Sequence, residues 1–228
     1  MVICPDCFPF ESRSLARSRF KEQFDEFRIF TEHGLELTED LYAGCVANRL
    51  LFEEGRALLG KHLFELQRAV DCLCDQEEVD GDRIGAIGHS AGGFLTALLM
   101  FIDPRVTVGC ASCGTFLYRG ALNKDRLRPI NGFGGFAVPG LKRWGDMDDV
   151  RAGLAPRPFL ETTDPGSDEE MAELTGKARA CYAALDVPER YQCVTYEACH
   201  TFRKDMGEMS YAWFDRWLKE QGDLACAR

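Results

Sequence analysis

Short apolar runs alternate with longer segments of helical periodicity along most of this chain. A short run bounded by turn residues is typical of a buried strand, whereas apolar residues three or four positions apart indicate a helix with one buried face. The predicted strands are residues 1–4, 83–87, 105–110, 156–163 and 191–197. The predicted helices are residues 38–59, 61–74, 94–101, 168–184 and a final one that carries Met206, Met209, Trp213 and Trp217 on one face.

Strands that alternate with helices predict an α/β fold, with a mostly parallel sheet between two layers of helices. The 228 residues suit one globular domain with a sizeable core, so a single domain is predicted over residues 1–228. Residues 123–145 are rich in glycine and proline and show little periodicity. They are predicted to form a long surface loop or a small cap.

The charge balance excludes some classes of partner. The formal net charge is −10, which disfavours binding to the phosphates of nucleic acid. No apolar run reaches the ~20 residues that span a bilayer, and the first residues show no signal-peptide pattern. A cytoplasmic protein without a membrane partner is therefore predicted, and the oligomeric state stays open.

Eleven cysteines include two pairs with CxxC spacing, Cys4 with Cys7 and Cys110 with Cys113. Four such thiols could hold zinc. The second pair, however, belongs to an apolar run that predicts a buried strand, where cysteine acts as a small apolar residue. Neither a metal nor another cofactor is predicted.

One stretch carries a chemical signature. In "RIGAIGHSAGGFLTALLMF", Gly88, Ser90 and Gly92 stand between a predicted strand and a predicted helix. G-x-S-x-G in this setting is the nucleophile elbow of α/β-hydrolases, a sharp turn that lifts the serine hydroxyl above the sheet edge. The Ala91 N–H that follows would donate to an oxyanion formed during the reaction. The alternative is a glycine-rich turn that happens to carry a serine.

A serine nucleophile needs a base, and the chain has four histidines. His33 and His62 precede Ser90, and His89 is its direct neighbour, expected to point elsewhere on the turn. His200 is the histidine downstream of the serine, after the last predicted strand and before the final helix. This position predicts that His200 is the base, with a solvated loop histidine as the alternative.

An acid is expected between the serine and the histidine in chain order, after the penultimate strand. "ETTDPGSDEE" offers Asp164 and Asp168. Asp164 leaves the strand directly, whereas Asp168 falls in the first helical turn, where a carboxylate already has the structural role of opposing the helix dipole. Asp164 is favoured, and Asp168 stays open.

The motifs "VDGDRIGAIGHSAGG", "LAPRPFLETT" and "ACHTF" resemble the dienelactone-hydrolase-like and acetyl-xylan-esterase-like branch of the α/β-hydrolases. The resemblance implies a three-layer α/β-hydrolase sandwich, a Ser-His-Asp triad and hydrolysis of a small-molecule carboxylic ester through an acyl-enzyme, without a metal. Dienelactone hydrolases use cysteine where this chain has Ser90, so the esterase side is the closer match. A non-catalytic binding or scaffold protein, or an inactive fragment, is the main alternative, and a peptidase is a weaker one.

The family has strands and a helix before the segment that resembles "VICPD", and the sequence therefore predicts a sheet truncated at its amino-terminal side. A fragment or a late-started gene model is the favoured explanation, and a minimal member with a rearranged sheet is the alternative. The loop over residues 123–145 carries Phe133, Phe136 and Trp144 among five glycines. These aromatic rings are predicted to cover the acyl pocket, or else to pack into the core.

Overall fold

The computed structural model describes residues 1–8, 10–13, 48–114, 116–121, 140–164, 168–197 and 200–219. The chain divides into two compact units. One unit comprises Met1, residues 67–128 and residues 140–228, and the other comprises residues 2–66 and 129–139. The prediction of a single domain stays a prediction.

Four parallel strands form the sheet of the first unit in the order β1-β2-β3-β4, which is also their order along the chain. Their bounds are Ile84–His89 for β1, Val106–Ser112 for β2, Phe159–Thr163 for β3 and Tyr191–Thr195 for β4. Each coincides with a predicted strand to within three residues at either end. Because neighbouring strands run in the same direction, their carboxyl ends meet at one edge of the sheet.

Helices cover both faces of this sheet. Helix α1 spans Leu58–Cys74, α2 Ala91–Ile102, α3 Tyr118–Ala121, α4 Met147–Ala152, α5 Asp168–Ala184 and α6 Lys204–Phe214. Helix α6 continues into a π-helical turn, Asp215–Lys219. Short 3-10 turns occupy Glu11–Arg13, Leu141–Arg143 and Pro188–Arg190. The predicted α/β fold with a parallel sheet between helices is confirmed.

The core explains why these segments fold in this way. On one face of the sheet, Val108, Cys110 and Leu160 pack against Trp213 and Trp217 of the carboxy-terminal helix. On the other face, a Cβ at Gly109 would meet the Met100 sulfur of α2, so strand and helix approach closely there. Alternating residues of one strand thus serve two different helix layers.

The predicted strand over residues 1–4 is wrong. Residues 1–7 have no regular secondary structure, and Val2 is 91% exposed. An apolar run becomes a strand only when a neighbouring strand pairs with it, and none of the described residues does so here. The predicted helix over residues 38–59 is described from residue 48 onward. Residues 48–54 are helical, residues 55–57 are not, and α1 begins at residue 58.

The second unit contains a small polar cluster of its own. The Arg13 guanidinium donates to both carboxylate oxygens of Glu65, at 2.7 and 2.6 Å. The hydrogen bonds from Arg13, and then the one from Lys61, lower the pKa of Glu65 to about 2 against the effect of burial. Beside them, the Cys7 sulfur lies 3.4 Å from Nδ1 of His62.

No described helix is long and apolar enough to cross a membrane.

Candidate active site

Ser90 stands at the junction of β1 and α2 in a backbone conformation that non-glycine residues rarely adopt. Its φ is 56° and its ψ is −119°. Two backbone hydrogen bonds hold it there: the Ser90 N–H donates to the Ser112 carbonyl oxygen at 2.7 Å, and the Phe94 N–H donates to the Ser90 carbonyl at 3.1 Å. Strain of this kind persists only where the surrounding structure fixes it, and it is common at active sites.

Glycines around the turn let the chain segments approach. A Cβ at Gly88 would lie 2.2 Å from the backbone of Gly92, and one at Gly114 would lie 2.3 Å from the Phe94 nitrogen. A Cβ at Gly93 would lie 2.8 Å from the Ser112 carbonyl oxygen. Gly92 differs, since nothing lies within 4 Å of the Cβ position there. Of the two motif glycines, Gly88 is therefore the one whose missing side chain allows the close approach, and Gly92 is the backbone that it contacts.

His200 contacts Ser90 although the two residues are 110 positions apart in the chain. It lies between β4 and α6, and its Nε2 is 2.7 Å from the Ser90 hydroxyl oxygen. The His200 backbone also has a positive φ, 47°, which non-glycine residues rarely adopt. The distance is that of a hydrogen bond between a base and a nucleophile.

Asp164 follows β3 directly, at the same edge of the sheet. One ligand atom each of Asp164, His200 and Cys113 lies within 4.8 Å of the other two. Oδ1 of Asp164 is buried, and none of the described residues donates a hydrogen bond to it. Asp168 is the first residue of α5, as predicted, and its side chain lies outside the described atoms.

Ala91 is the first residue of α2. The N–H groups of a first helical turn have no acceptor within the helix, and they carry the positive end of the helix dipole. The Ala91 N–H directly follows Ser90 in the chain, and its role as an oxyanion donor stays a prediction.

The ring of His89 lies beside that of His200. Its ring centroid is 5.1 Å from that of His200 and 6.0 Å from that of Phe202. Its Nδ1 lies 3.0 Å from the Ser112 hydroxyl oxygen. The His89 ring therefore bonds to Ser112, and it also lies beside the ring of His200. Sequence spacing held no signal for this contact, because Ser112 and Phe202 come from other strands and loops.

Cys113 follows β2 and completes the edge. Its φ is 48°, and its N–H donates to the Thr162 carbonyl at 2.7 Å. Burial and then the charge of Asp164 raise the pKa of its thiol, against hydrogen bonds from Ser112 and the Asp164 backbone. Cys110 behaves as the small core residue that was predicted: it is fully buried, with its sulfur 3.0 Å from the Ser210 hydroxyl oxygen.

The aromatic loop is described in part. Phe133 and Phe136 lie outside the described residues. Trp144 follows the 3-10 turn Leu141–Arg143 and is 91% exposed. Core packing, the alternative given for this ring, is therefore excluded.

Similarity to known proteins agrees with the architecture. A family model described as the prolyl oligopeptidase family matches residues 51–123. A protein of Bacillus subtilis (strain 168) named "Putative hydrolase YtaP" is 26% identical over 172 residues, which cover 72% of this chain and 56% of that protein. A CE15 glucuronoyl esterase from Teredinibacter turnerae T7901 superimposes with a TM-score of 0.53 at 20% identity, over 69% of this chain and 46% of its own.

The chain has the α/β-hydrolase fold. A further α/β-hydrolase neighbour is a Bacteroides fragilis structure named a "putative acetyl xylan esterase", with a TM-score of 0.56 and 22% identity over 70% of this chain and 41% of that one. These neighbours agree with the resemblance to the esterase-like branch that the motifs predicted. The chain spans about half the length of the relatives named here.

Proposed function

We propose that this α/β-hydrolase cleaves a small carboxylic ester through an acyl-enzyme, with Ser90 as the nucleophile and His200 as the base. One observation carries the proposal: His200 Nε2 lies 2.7 Å from the hydroxyl oxygen of a serine in strained elbow geometry. A serine hydroxyl becomes a good nucleophile when an adjacent base accepts its proton. The strained turn presents the serine hydroxyl, and His200 lies where it can accept the proton.

In the first half of the reaction, His200 Nε2 accepts the Ser90 proton while the hydroxyl oxygen attacks the carbonyl carbon of the ester. The Ala91 N–H donates to the oxyanion of the tetrahedral intermediate. The intermediate collapses by breaking the bond from the carbonyl carbon to the alcohol oxygen. His200 returns the proton to that oxygen, and the alcohol leaves.

The second half repeats this proton traffic with water. His200 accepts a proton from a water molecule, whose oxygen attacks the acyl carbon. The bond to the Ser90 oxygen then breaks, Ser90 regains a proton from His200, and the carboxylic acid is released. No cofactor is needed for the balance of atoms or charge.

We assign the acid to Asp164. Its carboxylate lies at the sheet edge beside His200, and a buried oxygen there has no donor among the described residues. An imidazole that turns its second N–H toward this carboxylate would be held in the tautomer that leaves Nε2 free to accept the serine proton. Asp168, in the first turn of α5, has a structural reason to be acidic.

Ester hydrolysis is favoured over peptide hydrolysis by the named structural neighbours, which are esterases. The family model over residues 51–123 bears a peptidase name, and this match is the observation that favours the second candidate function. Turnover of a p-nitrophenyl ester can be compared with that of a proline-containing peptide p-nitroanilide. Faster turnover of the anilide would make peptide hydrolysis the first candidate function and ester hydrolysis the second.

The proposal is tested with p-nitrophenyl acetate and the full chain. Ser90→Ala should lower turnover to background, while the matched variant Ser12→Ala, at an exposed serine whose hydroxyl donates to Asp6, should keep it. Equal melting temperatures would show that both variants fold. Full activity in Ser90→Ala would end the proposal, and no activity in the unaltered chain would favour the non-catalytic binding or scaffold protein.

A further inference from the structure

Three side chains of different chemistry meet beyond the carboxyl ends of β2, β3 and β4. Cys113 follows β2, Asp164 follows β3 and His200 follows β4. One ligand atom from each lies within 4.8 Å of the other two. Adjacent parallel strands therefore place a thiol, a carboxylate and an imidazole around one point.

This set of donors matches the preferences of a thiophilic divalent cation. Zn²⁺ binds cysteine sulfur at about 2.3 Å and histidine nitrogen or carboxylate oxygen at about 2.0–2.2 Å, usually in a tetrahedron. Such bond lengths place pairs of ligand atoms roughly 3.3–3.8 Å apart. From separations of at most 4.8 Å, the ligand atoms need to close by up to roughly 1.5 Å, which side-chain rotation can supply.

A second observation concerns the same carboxylate. Oδ1 of Asp164 is buried and has no hydrogen-bond donor among the described residues. A buried carboxylate oxygen without a partner is costly, and a cation is one way to satisfy it. The Cys113 backbone is fixed beside it, because its N–H donates to the carbonyl of Thr162 on the neighbouring strand.

We propose that Cys113, Asp164 and His200 bind Zn²⁺, and that the bound metal switches off the hydrolysis proposed above. The binding step is independent of that reaction, whereas the inhibition rests on the proposed function. Cys113 would release its thiol proton to solvent and coordinate as the thiolate. Water or the Ser90 hydroxyl would fill the fourth position of the tetrahedron.

Metal on either ring nitrogen of His200 removes the base. On Nε2, the metal occupies the lone pair that would accept the Ser90 proton. On Nδ1, it leaves the neutral ring with its proton on Nε2, so that this nitrogen can only donate. In both cases Nε2 can no longer accept the Ser90 proton, so the metal-bound and catalytic arrangements of His200 exclude each other.

Cys113 is the residue that makes the site. Without its sulfur, Asp164 and His200 offer two ligands, which is fewer than zinc sites in proteins use. Cys110 cannot replace it, because its side chain is fully buried with its sulfur against Ser210. That catalysis needs no metal stays a prediction, and the proposed metal acts against the reaction.

The test uses the full chain, freed of metal with a chelator and then titrated with ZnCl₂ in a calorimeter. Parallel samples are assayed with p-nitrophenyl acetate, and inhibition is expressed relative to the activity of each variant without zinc. Cys113→Ala should weaken zinc binding and inhibition together, by about tenfold or more. Cys113→Ser, which keeps the size of the side chain, should act in the same direction. Mg²⁺, which prefers oxygen ligands, should inhibit neither the unaltered chain nor the two variants.

Two further variants separate the possible failures. The double variant Cys4→Ala/Cys7→Ala should keep zinc inhibition, which shows that the other CxxC thiols are not responsible. Ser90→Ala should still bind zinc, so the metal site can be tested even if the chain hydrolyses no ester. Zinc binding that is unchanged in Cys113→Ala would overturn the site. Cys113-dependent binding without inhibition in an active enzyme would overturn the switch.

Discussion

The turn at Ser90, with its positive φ, fits into the fold because three glycines let the backbone around it approach closely. They are Gly88, Gly93 and Gly114. The Cβ position at Gly88 is blocked by the backbone of Gly92, whereas the one at Gly92 is open. Gly88→Ala should therefore destabilise the fold by roughly 1–3 kcal/mol. Gly92→Ala, within α2, should be neutral or stabilise it by up to about 1 kcal/mol.

Chemical denaturation of the two variants measures this difference. Activity of the folded fraction should also fall in Gly88→Ala, because the clash displaces the turn that carries Ser90. Two equally stable variants would show that the close contact at the elbow is not needed.

The acid can be identified with a second pair of variants. Asp164→Asn keeps the shape of the side chain but removes the charge that would orient His200, so kcat should fall by about 10²–10⁴-fold. Asp168→Asn should change kcat little, because its predicted role is at the helix terminus. Steady-state kinetics on p-nitrophenyl acetate compares them. The reverse ranking would move the acid to Asp168.

Strand β3 leads directly to Asp164, and a buried ion pair ties the strand to α4. Arg151 Nε donates to Glu161 Oε1 at 2.7 Å, and the Tyr191 hydroxyl of β4 donates to Oε2 at 2.6 Å. Both charged side chains are almost fully buried. Removing one charge leaves the other buried without its partner, so Arg151→Met should cost about 3–5 kcal/mol of unfolding free energy.

A double variant tests whether the pair itself causes this loss. Arg151→Met combined with Glu161→Gln removes both charges and leaves an acceptor for Tyr191, so it should lose less stability than the two single variants together. Denaturant unfolding of all four proteins gives the coupling energy. Simple additivity would show that the ion pair contributes nothing beyond its separate parts.

The loop that carries Trp144 gives a prediction of the opposite kind. Because the ring is 91% exposed, Trp144→Ala should change the unfolding free energy by less than about 0.5 kcal/mol. If the ring covers the acyl pocket when substrate binds, the variant should shift the preference among acyl chain lengths. The ratio of kcat/KM for acetyl and octanoyl esters measures this shift. An unchanged ratio would remove Trp144 from the pocket.

For the whole molecule, local patterns in the sequence predicted most of the architecture. The four strands, α5 and the apolar face of α6 were readable because each shows its own periodicity or a short apolar run. Ser90 was readable because the elbow signature is confined to a few residues. His200 could be chosen because few histidines compete with it.

What the sequence could not show depends on contacts between distant segments. The apolar residues 1–4 predicted a strand, but pairing with a neighbour decides whether a strand forms. Cys113 and His89 lie beside His200 because separate strands end at one edge, and no spacing in the sequence encodes that meeting. The choice between Asp164 and Asp168 stayed open for the same reason.

A fluorophosphonate probe can show whether the described fold activates Ser90. Such a probe reacts with a serine whose proton is taken by a base, and the choice of ester does not matter. We expect one adduct per chain, located by mass spectrometry on the peptide that contains Ser90, and its loss in Ser90→Ala and in His200→Ala. No adduct on the unaltered chain, or undiminished labelling of Ser90→Ala, would contradict the activation of Ser90.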